Sequence, residues 1–226
     1  MNTINVYIEI GKKRTVACAV DWPGWCRFGR DEESALQALL DHAERYAQIL
    51  QDTEIEFHVP ADVSAFAVTE RLDGNATTDF GAPAIMRPAD SDPFTQAELE
   101  RSTKLLQAYW QAFDHTVQQA EGRELRKGPR GGGRELEKIL AHVLEADLAY
   151  LSRLAWKRKR NNENDLSEEL KQTREAILSA LEVAVNNGLP AQGPRGGVIW
   201  SPRYFVRRVA YHVLDHVWEI EDRIEA

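Results

Sequence analysis

Cysteine is scarce in this chain: Cys18 and Cys26 are the only two in 226 residues. Two cysteines in a chain this long cannot build a disulfide framework, so a reducing, cytoplasmic setting is expected. Long apolar runs are missing as well. None approaches the ~20 residues needed to cross a bilayer as a helix, so no membrane partner is expected. Met1-Asn2-Thr3-Ile4-Asn5 lacks a basic leader and an apolar h-region, and a secretory signal is not expected either. Basic excess is absent: residues 1–90 carry 8 Lys and Arg against 15 Asp and Glu, and residues 91–226 carry 20 against 21. An acidic first half makes nucleic acid an unfavoured partner, because most affinity for it comes from neutralising phosphates.

What remains is an ordinary globular composition, 43% hydrophobic and 28% charged, enough for one large or two modest cores. The hydrophobic period changes along the chain. Ile4, Val6, Ile8 and Ile10 alternate with Asn5, Tyr7 and Glu9, the period of a half-buried strand. A polar turn at Gly11–Arg14 leads to a second strand through Val16, Cys18 and Val20. Trp25–Phe28 fits a third. Ala35, Leu36, Leu39, Ala43, Tyr46, Ala47 and Leu50 then recur at helical spacing. Ile55–Val59 returns to alternation, and Phe66–Leu72 fits one more strand. Residues 73–93, rich in Gly, Pro and small polar residues, read as a connector, with a domain boundary near residue 90.

Beyond it the pattern is helical. Thr95-Gln96-Ala97-Glu98 is a capping box ahead of a stripe of Leu99, Leu106, Tyr109, Trp110, Phe113 and Val117. A glycine-rich stretch from Gly128 to Gly133 precedes a second helix bearing Leu136, Ile139, Leu140, Val143, Tyr150, Leu151 and Leu154. Its end is expected at the run Lys157–Arg160, where cations complement the helix dipole. Asp165 caps a third helix that Gly188 and Pro190 terminate. Ser201-Pro202 opens a fourth, reaching to about Ile224. Four amphipathic helices, each with one apolar stripe, bury those stripes most economically as a four-helix bundle. The expected fold class is therefore α+β with two domains, 1–90 and 91–226.

His212 and His216 lie on the fourth helix, one turn and about 40° apart, so both rings leave the same face. That is how a helix presents two nitrogens to one metal ion. His142 lies at the margin of the second helix's apolar face, and Asp147 falls inside that face, where a carboxylate needs a partner. Three imidazoles leave an ion with open positions, the catalytic pattern; the same rings could instead be packed core residues bonded to a carboxylate. Asp215 is either an acceptor orienting one of the ligands or an exposed acid. Glu219 is a candidate for acid–base work or a surface salt bridge. Arg208 is a candidate for binding a cofactor's carboxylate. It belongs to two arginine groups, Arg123/Arg126/Lys127/Arg130/Arg134 and Arg195/Arg203/Arg207/Arg208, that either bind anions or form solvated loops. His42, His58 and His115 read as surface residues.

Two resemblances sharpen these expectations. The opening hairpin, Asp21-x-Pro23-Gly24, Gly29 and Glu33-x-Ala35-Leu36 resemble the HicB-like domain, a small β-β-β-α-β unit covering about the first 60 residues. Residues 91–226 resemble the DinB-like four-helix bundle in helix count, helix order and the placing of His142, His212 and His216. That resemblance implies a divalent metal (zinc, nickel or iron(II)) held by the three histidines. It also implies a metal-dependent enzyme, a thiol-dependent S-transferase or a related metal-assisted reaction, with a low-molecular-weight thiol as cofactor and a small molecule as substrate. Pairing into a homodimer is a further expectation. The alternative is a non-catalytic binding or regulatory protein, in which the HicB-like part recognises a protein partner and the bundle is a scaffold.

Overall fold

A computed structural model describes residues 3–127, 133–161, 163, 165–193 and 197–224. The chain divides into two compact units, Met1–Ala89 and Asp90–Ala226. Gly128–Gly132 and Arg130 among them, together with Arg195, lie outside the described residues.

The first unit holds a four-stranded sheet of β1 (Ile4–Ile10), β2 (Thr15–Ala19), β3 (Cys26–Gly29) and β4 (Phe66–Asp73), in the order β3-β2-β1-β4. β1 pairs antiparallel with β2 and parallel with β4. Helices α1 (Glu32–Asp41) and α2 (Ala43–Leu50) replace the single expected helix, with the break at His42. Ala35, Leu39, Ala43, Tyr46 and Leu50 remain buried across that break. Trp25 is fully buried, stacks on Tyr46 at 5.5 Å and donates its indole N–H to Leu39 O at 3.0 Å.

Three further expectations change in this unit. Ile55–Val59 is not a strand. The segment still alternates in exposure, because Phe57 reaches the rings of Trp22, Trp25 and Tyr46 at 4.8–5.2 Å. An extended segment packed on one side has a two-residue period with or without a ladder, and the free edge of β1 is taken by β4. β1 is not half-buried: Val6 to Glu9 are all buried. Nor are residues 73–93 a loose connector. The part that lies in this unit forms α3 (Ala76–Phe80), capped by Asn75, and Ala84–Arg87 then covers the Tyr7/Glu9 side of β1. The Glu9 carboxylate accepts from Ala84 N at 2.8 Å, Ile85 N at 3.0 Å and Thr78 Oγ1 at 3.2 Å. Arg87 lies over the Tyr7 ring and pairs with Glu70 at 2.7 Å. A carboxylate buried among backbone N–H donors in this way is satisfied rather than stranded.

The second unit contains α4 (Gln96–Ala120), α5 (Leu136–Leu151), α6 (Leu166–Asn187) and α7 (Pro202–Arg223). α4 packs on α7, α7 on α5, α5 on α6 and α6 on α4, closing a ring of four. The starts follow local chemistry. Thr95 and Glu98 exchange both bonds of a capping box, the Asp165 side chain accepts from Glu168 N, and Ser201 Oγ accepts from Tyr204 N ahead of Pro202. α6 stops at Gly188, whose φ of 77° suits glycine.

The end of α5 differs from expectation. The helix stops at Leu151, a short 3-10 turn spans Ser152–Leu154, and Ala155 adopts a left-handed φ of 57°. Lys157–Arg160 therefore lies outside the helix. Arg158 instead reaches α6, pairing with the fully buried Glu169 at 2.8 Å and Gln172 at 2.9 Å. A buried carboxylate needs such a cation more than an exposed helix end does. Among the described residues no helix is long and apolar enough to cross a membrane.

Candidate metal centre

α7 is buried along most of its length, which turns the His212/His216 face inward toward α5. His142 on α5 meets it. His142 Nε2 and His212 Nε2 are 3.2 Å apart, although the residues are 70 positions apart in sequence. Ring centroids lie 5.0 Å (His142–His212), 5.1 Å (His142–His216) and 4.7 Å (His212–His216) apart. One nitrogen from each ring can be chosen so that all three lie within 4.8 Å of one another. Nitrogens sharing a tetrahedral ion at about 2.0–2.1 Å stand about 3.3 Å apart, so modest rotations of the rings suffice to close on one ion. The 3.2 Å contact serves equally as an N–H···N hydrogen bond between neutral rings.

The protonation pattern suits a metal. Burial, then the neighbouring rings of His216 and His142, pull the His212 pKa down to about 2. Burial and then Arg134 lower that of His142. Neutral imidazoles keep the lone pairs that a metal requires. His216, itself buried, has its Nδ1 2.7 Å from Glu219 Oε2, which leaves Nε2 for the centre. That hydrogen bond is the first cause holding the Glu219 carboxyl below the usual carboxylate range. A carboxylate on the far nitrogen fixes the tautomer and raises the ligand's basicity. His212 Nδ1 is buried without a hydrogen-bond partner among the described residues.

The carboxylate bonded to His216 is Glu219, for which acid–base work or a surface salt bridge was expected; Asp215, read as either an orienting acceptor or an exposed acid, is half-buried. Arg208 is 3.3 Å from Tyr150 Oη and adds to the field that keeps His212 neutral. Tyr150 stands 5.8 Å from the His212 ring and 5.2 Å from that of Trp200, forming an aromatic wall that the sequence stripe did not distinguish from core. Two other arginines of the fourth-helix group, Arg203 and Arg207, do structural work. Arg203 pairs with Glu98 at 2.6 Å, and Arg207 pairs with the buried Asp90. His42 bonds Ala38 O, while exposed His58 and His115 meet Glu56 and Gln119; none joins the three-histidine group.

Compared with known proteins, the chain matches no protein-family model, no curated protein and no solved structure.

Proposed function

We propose that the Asp90–Ala226 unit is a DinB-like four-helix bundle that holds a divalent transition metal through His142, His212 and His216, and that it is an enzyme. The observation that carries this reading is the convergence of three imidazoles from two helices, with Glu219 on the far nitrogen of the most buried ring. The donor set fits zinc, nickel or iron(II), since imidazole nitrogen suits each. An ion held there with an open position would bind a thiol as its thiolate, or lower the pKa of a bound water to about 7.

The protein's own groups support a thiol-dependent transfer or a related metal-assisted reaction on a small anionic molecule. Arg208 and Arg134 place positive charge around the histidines. Tyr150 and Trp200 supply an apolar wall against which a substrate can exclude water. The Met1–Ala89 unit is proposed as a HicB-like accessory module.

Elemental analysis of protein purified without a histidine tag tests the site. About one ion per chain is expected, with none in the His212→Ala/His216→Ala double variant. Undiminished metal in that variant, or none in the wild type after incubation with zinc, nickel and iron(II), overturns the reading. Thermal shift of the metal-loaded protein with glutathione, bacillithiol and mycothiol then tests the thiol.

A further inference from the structure

Arg223, in the last turn of α7, uses its guanidinium in three directions. Nη1 donates to Glu219 Oε1 at 2.6 Å, Nε to Arg126 O at 2.8 Å, and Nη2 to Arg134 O at 2.8 Å. The other Glu219 oxygen holds His216 at 2.7 Å. One continuous set of contacts thus runs from both ends of the α4–α5 connection to a metal-ligand candidate. The junction is tight. Gly133 has a φ of 140°, and a Cβ there would come within 2.6 Å of Arg223 Nη2. Backbone contacts reinforce it: Arg126 N donates to Arg223 O at 2.7 Å, and Leu125 bridges Ile224.

A cation in the last turn of a helix has a simple role against the dipole. That role does not require two carbonyls eight residues apart, nor a side chain only 12% exposed.

We propose that Arg223 is the positioning residue of the centre. It fixes Glu219, and through it the ring of His216, while tying both to the backbone at Arg126 and Arg134. This rests on the metal reading above. Because coupling between sites is reciprocal, an ion bound at His216 tightens the contacts at Arg126 and Arg134.

The test measures Zn2+ affinity by chelator competition in the wild type, Arg223→Ala, Arg223→Lys and Glu219→Gln. Hydrogen exchange of peptides covering residues 120–127 and 133–140 is followed with and without Zn2+. Zn2+ is expected to protect both peptides in the wild type. Arg223→Ala and Glu219→Gln are expected to bind Zn2+ roughly ten- to hundredfold more weakly. Arg223→Lys keeps a cation at the helix end, so it guards against loss of fold; lacking the fork, it is expected to lose the Zn2+-dependent protection of residues 121–127, which lie outside the helices. A wild type that binds no Zn2+ removes the metal reading itself. A wild type that binds Zn2+, with Arg223→Lys matching it in both affinity and protection, overturns the role of Arg223 alone.

Discussion

Asp147 is a single residue that carries an electrostatic cost. It lies in the interior at 1% exposure, and neither carboxylate oxygen has a hydrogen-bond partner among the described residues. Burial pushes its pKa up to about 7; Arg174 counters this, but its guanidinium is already paired with Asp114 at 2.7 and 2.9 Å. The folded value lies above the ordinary one, so the folded state binds the extra proton. The associated stability is present below about pH 4, declines as pH rises to about 7 and is flat beyond, an upper bound of about 4 kcal/mol. Asp147→Asn is therefore expected to raise the urea midpoint at pH 8, with the gain fading toward pH 4. Equal midpoints for the two proteins at pH 8 would contradict this. The sequence placed Asp147 on an apolar face, and burial there was legible; the lack of a partner was not, because partners come from other helices.

At the scale of elements, the helix starts were readable because a cap is made by residues three apart. Ser201→Ala is expected to cost about 1 kcal/mol in the second unit's stability by removing the acceptor for Tyr204 N. A denaturant midpoint unchanged within error would refute that contribution. The Glu9 contacts lie at the other extreme, joining residues 69 to 76 positions apart. Glu9→Ala strands two backbone N–H groups and a hydroxyl, and a loss of about 3 kcal/mol is expected. Metal content should not change, since all three histidines lie in the other unit; a fall in metal content in folded Glu9→Ala protein would speak against that independence. Ile55–Val59 misled for a physical reason, since alternation reports one-sided packing and a ladder needs a remote partner. The Lys157–Arg160 run misled because the left-handed residue that closes the 3-10 turn after α5 is an alanine, and nothing in local composition marks it.

For the whole molecule, the division at Ala89/Asp90 separates an acidic sheet-bearing unit from the helical unit with the histidines. A ligand stabilises what it binds by mass action, about 2.7 kcal/mol at a free concentration one hundred times Kd. Saturating Zn2+ is accordingly expected to slow hydrogen exchange throughout the four helices and leave β1–β4 unchanged. Equal protection of the sheet would show the two units to be one thermodynamic body.

Periodicity, caps and the one-turn spacing of His212 and His216 follow from the sequence alone, because about 100° per residue is a property of the backbone whatever surrounds it. The pairing of Glu219 with His216 and Arg223 is likewise local, at three and four positions along α7, whereas the meeting of His142 with the histidine pair and the reach of Arg223 to the Arg126 and Arg134 carbonyls were decided by tertiary packing. Such contacts depend on how far α5 slides and turns against α7. A shift of one residue there would move a ring nitrogen by more than the tolerance of a coordination bond, and no local pattern in the chain encodes that alignment.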